Sequence, residues 1–382
     1  MTSALFSPLK LRNLTLKNRI AVSPMCQYSA DDGVASDWHL AHLTSLACSG
    51  AGLVVIEMTD VEREGRITSG CLGLYSDSCE AGLKPVIAAM RKWGGAAIGI
   101  QLAHAGRKGS THKPWDGGAP LKPEEGAWQT VAPSPLPFSE KSPAPRELSV
   151  ADIERLVLAF VTAARRAERL GIDTLELHGA HGYLLHQFLS PLANHRTDEY
   201  GGSLANRMRF PLRVVEALRT VWPQEKPLGM RVTSTDFLRG GWRIEDAVVF
   251  ARELKARGCD YADVSGGGVV PVAPIPVAPG YMVEYAGRIK REAQIATRSV
   301  GMILTAPQAE TVIASGEADM VALARAMLDD PHWGWHAAEA LGEKIPAPPQ
   351  YARATAETWP GAKIVRPKTA DAAEQLTKAA PP

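Results

Sequence analysis

The chain has 382 residues, 45% hydrophobic and 22% charged, an ordinary globular composition with enough apolar material for a large core. With 42 basic against 41 acidic residues and no basic block or stripe that could follow a phosphate backbone, nucleic acid is excluded as the expected partner. No apolar run reaches the roughly 18 residues of a membrane span, the first residues lack a leader pattern, and Cys26, Cys48, Cys71, Cys79 and Cys259 show no C-x-x-C or cluster spacing, so a cytoplasmic protein with free thiols is expected.

Taken in chain order, short runs rich in Val, Ile and Leu recur, each followed by a longer segment of helical period. That alternation marks parallel strands with crossover helices. Strands are predicted at 18–25, 51–58, 96–103, 174–179, 227–233, 260–266, 298–304 and 320–325. The helix before the fourth strand is the clearest. Ser149 with Asp152 three residues on gives an N-terminal capping signal, Ile153, Leu156, Phe160, Ala164, Ala167 and Leu170 form one apolar stripe, and Gly171 stops it. Eight such pairs with no composition break predict a closed (β/α)8 barrel, one domain over 1–353. The stretch 111–146 carries Pro114, Pro120, Pro123, Pro133, Pro135, Pro137, Pro143 and Pro145; it is too long for a plain connection and reads as an excursion or lid over the barrel mouth. The segment 354–382 has little apolar periodicity and is expected to be a disordered tail.

In such a barrel the chemistry sits at the C-terminal ends of the strands. Those ends carry Ser23-Pro24-Met25-Cys26-Gln27-Tyr28, then Gln101 with His104 and Lys108, then His178-Gly-Ala-His181-Gly-Tyr183, Arg231, Ser265-Gly266-Gly267-Gly268, Gly301-Met302 and Arg325. Converging polar groups and Gly-bearing turns of this kind suit a large polar ring with a phosphate. Gly301 and Arg325, after strands seven and eight, fit the phosphate. The pair His178-x-x-His181 suits two tasks, gripping one substrate oxygen or ligating a metal. A metal-dependent barrel hydrolase is therefore the rival reading. It needs further carboxylate or imidazole ligands at other strand ends, where Arg231 and Ser265 stand instead.

The block from His178 through His-Gln-Phe-Leu-Ser-Pro-Leu-Ala-Asn-His-Arg-Thr-Asp-Glu-Tyr-Gly-Gly-Ser to Arg207 resembles the signature of the Old Yellow Enzyme family. The segments Ser23 to Tyr28, Gly99 to Lys108 and Gln350-Tyr-Ala-Arg353 resemble its bacterial thermophilic-like class and the xenobiotic reductases. The resemblance implies non-covalent FMN reduced by NADPH or NADH, which then reduces an alkene conjugated to a carbonyl or nitro group. It implies that His178 and His181 hold the substrate oxygen and that Tyr183 delivers a proton. Ser23, Pro24, Met25, Cys26, Met58, Gln101, Arg231, Gly266, Gly267, Gly301, Met302, Ala324 and Arg325 would contact the flavin, Cys26 tuning its potential and Arg231 facing its N1/O2 edge. Tyr28 and Lys108 would line the substrate pocket. Arg353 would reach into a neighbour's active site within a homodimer or homotetramer. Relatives that demethylate amines or reduce dienoyl thioesters share this barrel but usually carry an iron–sulfur cluster and further domains; the lack of a cysteine run and of the extra length argues against them. Two departures from the class stand out: Met58 where a small residue is usual beside the flavin, and Ala324 where a Gly commonly precedes the phosphate-binding Arg.

Overall fold

The structure, a computed structural model, describes residues 3–362. Eight parallel strands close into a barrel: β1 Ile20–Val22, β2 Leu53–Asp60, β3 Ala97–Ala103, β4 Thr174–Gly179, β5 Leu228–Thr233, β6 Tyr261–Ser265, β7 Ala296–Ser299 and β8 Met320–Leu323, with β8 pairing back onto β1. Around them lie α1 Asp37–Ala47, α2 Asp77–Trp93, α3 Val150–Arg169, α4 Leu204–Arg219, α5 Ile244–Ala256, α6 Val283–Ala293, α7 Ala306–Ala314 and α8 Trp333–Ala340. Parallel strands covered on both sides are mostly apolar, and every residue of β2, β4, β5 and β6 is buried, including the charged Glu57, Asp60, Glu176, Arg231 and Asp263.

The helices form because one face of each has somewhere to go. In α3, Ser149 Oγ accepts the Asp152 N–H at 3.1 Å while Asp152 Oδ2 accepts the Ser149 N–H at 3.0 Å, satisfying two otherwise orphaned donors. Ile153, Leu156, Phe160, Ala164 and Ala167 then pack into the core. Each fully buried Ile, Leu or Phe contributes about 1.5–3 kcal/mol. Among the described residues no helix is long and apolar enough to cross a membrane.

Three features depart from the sequence reading. The seventh strand covers Ala296–Ser299 rather than 298–304, because Gly301 turns the chain away at φ +97°. An antiparallel hairpin of Leu9–Leu11 and Leu14–Leu16 precedes the barrel; its Arg12 bonds Asp260 Oδ1 at 2.7 Å, just before β6, which sets the hairpin across the N-terminal strand ends. In β2 the register to β3 shifts between Ile56 and Met58, a bulge that places Glu57 at the barrel mouth.

The Pro-rich excursion is built from two short turns of helix, Pro114–Asp116 and Pro123–Glu125, and a two-residue strand pair, Val131–Ala132 with Arg146–Glu147. Residues 354–362 form turns in which the Thr358 hydroxyl donates to Ala352 O at 2.7 Å. The rest of the expected tail, 363–382, lies outside the described residues.

Candidate active site

The loop after β4 carries the sharpest geometry. His178 Nδ1 accepts the Ala180 N–H at 3.2 Å, so the ring proton sits on Nε2, leaving that nitrogen a donor. The chain then turns through two left-handed residues, His181 at φ +56° and Gly182 at φ +72°. A Cβ at position 182 would lie 2.2 Å from Gly268 O, so only Gly allows the approach. Two further bonds pin the turn: His181 N–H to Thr233 Oγ1 at 3.3 Å and Gly182 N–H to His186 Nδ1 at 2.8 Å. His186 Nε2 in turn lies 3.1 Å from Asp236 Oδ1, both fully buried.

This turn gathers three rings. His178 lies edge-on to His181 at 5.1 Å and to Tyr183 at 4.8 Å between centroids. His181 Nε2 stands 2.7 Å from Ser265 Oγ. Both imidazoles are held neutral, their pKa values pushed well below the usual range by burial and then by the charges of Arg231 and Lys108. Burial pushes the Tyr183 hydroxyl well above the usual phenol range.

Lys108 ties this loop to the Pro-rich excursion. Its ammonium donates to His181 O at 2.8 Å and Gly268 O at 3.1 Å, and it lies 4.8 Å from the ring centres of both Tyr183 and Phe138. Burial, and then Arg107, lower its pKa to about 8. A cavity of about 710 Å³ opens between Lys108, Ile67 and the excursion, with Trp128 and Phe138 in its wall. Tyr28, at φ +50°, packs with Cys26 and Tyr183 against a small apolar cluster of Met58, Ile67, Cys71, Ala103 and Ala105. Burial, and then Glu57, Cys71 and Asp60, raise the Cys26 thiol pKa well above its usual value, so it stays protonated.

The remaining expected residues fall on the same end of the barrel. Ser23 is buried and its N–H donates to Leu323 O at 2.8 Å; Pro24 and Met25 follow, half-buried. Gln101 is buried, with Nε2 donating to Glu176 Oε1 at 2.7 Å. Arg231 sits directly beside His178 in the β4–β5 register, its Nε 3.2 Å from Asp263 Oδ2 but without a hydrogen-bond partner of good geometry. Gly266 faces the Phe237 ring, where a Cβ would lie 2.8 Å away, and Gly267 takes φ +73°. Gly301 likewise has no room for a Cβ beside Tyr281, and Met302 takes φ +50° with its carbonyl accepting from Gln308 Nε2 at 3.0 Å. Ala324 caps the short helix Arg325–Asp329, and Arg325 is exposed, with no ion pair among the described residues. This set fits FMN: a buried guanidinium lacking a hydrogen-bond partner for the ring edge, glycines at close turns, and an open cation for the phosphate.

Some residues land elsewhere. His104, at the end of β3, is fully enclosed and bonded through Nε2 to Glu62 Oε1 at 2.9 Å, so it supports the loop rather than the site. Arg353 is exposed beyond a turn whose Tyr351 packs on His332 and Trp335; no hydrogen bond or ion pair joins it to the His178 cluster among the described residues. No set of three or more His, Cys, Asp and Glu placed to hold a metal occurs among the described residues. Sequence reasoning missed Glu57, whose Oε2 accepts the Gln27 N–H at 2.6 Å while Oε1 meets His39 Nε2 at 3.0 Å, fixing the segment that carries Cys26 and Tyr28. It also missed the His186–Asp236 pair under the turn that follows β4.

Comparison with known proteins agrees with this geometry. Residues 4–343 match the NADH:flavin oxidoreductase / NADH oxidase family. The chain is 46% identical to an NADPH dehydrogenase of Geobacillus sp. (strain WCH70), over 92% of this chain and 99% of that protein. It is 45% identical to the NADPH dehydrogenase of Listeria innocua with the same coverage. Among solved structures, morphinone reductase superposes with a TM-score of 0.74 at 30% identity, covering 92% of this chain and 93% of that one. A 2-naphthoyl-CoA reductase gives a TM-score of 0.80 at 28% identity, covering 89% of this chain and 52% of that longer one. The chain therefore belongs to the NADH:flavin oxidoreductase / NADH oxidase family and, within it, to the Old Yellow Enzymes, as an FMN-dependent NAD(P)H oxidoreductase.

Proposed function

We propose that the protein reduces small alkenes conjugated to a carbonyl or nitro group at the expense of NAD(P)H. The observation that carries this reading is the His178 Nε2 donor, freed because Nδ1 is occupied by the Ala180 N–H, beside His181 and the Tyr183 hydroxyl. Bound FMN, reduced by NAD(P)H, supplies the hydride that adds to the β-carbon.

The protein groups do the rest. His178 and His181, neutral and buried, donate to the substrate oxygen and hold the negative charge that develops there. Removing one such donor costs about 10²–10³ in rate in comparable sites. Tyr183 keeps its proton at neutral pH and yields it only to a stronger base, which a carbon carrying negative charge is. Lys108, fixed over its ring, holds the hydroxyl's direction. Arg231 and Gln101 hold the flavin edge, Gly301 and Arg325 its phosphate, and Ser23, Pro24, Met25, Cys26 and Met58 its ring. Tyr28 lines the substrate side, and the cavity under the excursion admits the distal part of the alkene. In an assembled homodimer or homotetramer, Arg353 enters the neighbouring site.

The test is a two-step anaerobic titration of the purified yellow protein. NADPH bleaches the flavin, and cyclohexenone restores the colour. Flavin that is bleached but stays reduced in excess cyclohexenone contradicts the alkene assignment.

A further inference from the structure

One pleat repeat deeper than His178, the barrel holds a layer of charge whose Arg298, Asp263 and Glu176 the reading above does not use. Arg298, from β7, is fully buried; its Nη2 donates to Glu176 Oε2 and forms an ion pair with Asp263 Oδ2 at 2.9 Å. Arg231 approaches the same Asp263 Oδ2 through Nε at 3.2 Å. Glu176 also accepts from Gln101 Nε2 at 2.7 Å and from the Tyr261 hydroxyl at 3.3 Å, and the Arg298 guanidinium lies 5.4 Å from the Tyr261 ring centre. Two carboxylates thus share two guanidiniums. The side chains come from β3, β4, β5, β6 and β7, so the layer spans most of the barrel.

The arithmetic of this layer decides what Arg231 can do. Without Arg298, two buried carboxylates face a single guanidinium, and a buried carboxylate lacking a counter-charge pulls any cation it can reach. With Arg298 present, Glu176 is satisfied from Arg298, Gln101 and Tyr261, and Arg231 gives Asp263 only its Nε edge. Its two Nη groups form no hydrogen bond with any described residue.

We propose that Arg298 is a positioning residue for the flavin: as the counter-ion of Glu176 and Asp263, it leaves the Arg231 Nη groups and their charge for the electron-rich edge of the ring. The inference rests on the assignment of Arg231 to that edge. Positive charge left over at this point stabilises the reduced, anionic ring more than the oxidised one, so Arg298 raises the reduction potential without touching the flavin.

The test uses the FMN-loaded protein and reads the two-electron midpoint potential by dye equilibration, with the FMN dissociation constant alongside. Arg298→Met is expected to lower the potential; each tenfold loss of preference for the reduced flavin is about 30 mV. Adding Glu176→Gln removes the surplus carboxylate and is expected to bring the potential back toward wild type, a recovery that a merely structural Arg298 would not produce. If Arg298→Met does not fold, Glu176→Gln alone, which leaves a surplus cation, should raise the potential; an unchanged value overturns the proposal. A wild-type potential in Arg298→Met, while Arg231→Met lowers it, overturns this proposal alone. If Arg231→Met is also without effect, the assignment of Arg231 fails and takes the proposal with it.

Discussion

Replacing Gly182 by Ala tests whether the turn after β4 is what holds the rings in place. The new Cβ would stand 2.2 Å from Gly268 O and 2.8 Å from Gly268 C and Val269 Cα, at a backbone φ of +72°. The left-handed conformation alone costs about 1–2 kcal/mol for a residue with a side chain. Relieving the overlap requires the turn to back away by roughly an ångström, and a displacement of about 1 Å costs on the order of 10²-fold in rate where near-attack geometry matters. The turn cannot move alone, because Lys108 joins His181 O and Gly268 O and His186 Nδ1 receives the Gly182 N–H. The expected result is a Tm lowered by a few degrees, FMN content near wild type, and a stopped-flow oxidative half-reaction slowed about 10²-fold. FMN should persist because Arg231 lies on β5 and Gly301 and Arg325 follow β7 and β8, away from this turn. A variant that reoxidises with alkene at the wild-type rate refutes the role given to this turn.

Tyr183→Phe should slow reoxidation by alkene and leave reduction by NADPH unchanged; equal loss in both would assign the tyrosine to flavin or fold support. Because burial and neighbouring charge depress both histidines, phenol binding should show no imidazole inflection from about pH 5 to 7, below the range in which Lys108 titrates, and an inflection near 6.5 that His178→Asn removes would contradict the neutral pair. The same depression fixes a stability trend: below the unfolded pKa of 6.5 only the unfolded chain takes up these protons, so stability is lost as pH falls under that value, read as Tm against pH. Arg353→Ala should raise KM for the alkene in an assembled enzyme, and unchanged kinetics together with sedimentation as a single chain would return Arg353 to the surface.

Much of the mouth was legible because barrel strands end in punctuated motifs. Apolar runs bounded by polar or Gly residues located β3, β4 and β5 within a residue or two, and the 178–183 block could be read as a unit because its spacing is local. What local pattern cannot encode is partnership across strands. Arg298 reads as the boundary of an apolar run, since a charged residue is rarely fully buried; only its ion pairs across the barrel, with Asp263 on β6 and Glu176 on β4, show it inside. Glu57 was absorbed into the apolar β2 run because a bulge has no signature in one strand alone. His104 looked like a member of the site for the opposite reason: it stands at a strand end, but Glu62, forty-odd residues earlier, claims it. The N-terminal hairpin was missed because three-residue strands fall below the length at which alternation is readable.

The central claim is that two neutral imidazoles grip an anionic oxygen above the flavin. A crystal structure of the FMN-loaded protein with a bound phenol measures it most directly. The phenol oxygen should lie within hydrogen-bonding distance of His178 Nε2 and of a ring nitrogen of His181, with its ring stacked over the flavin. A phenol seated elsewhere in the mouth, or a cation between the two imidazoles, would contradict the account.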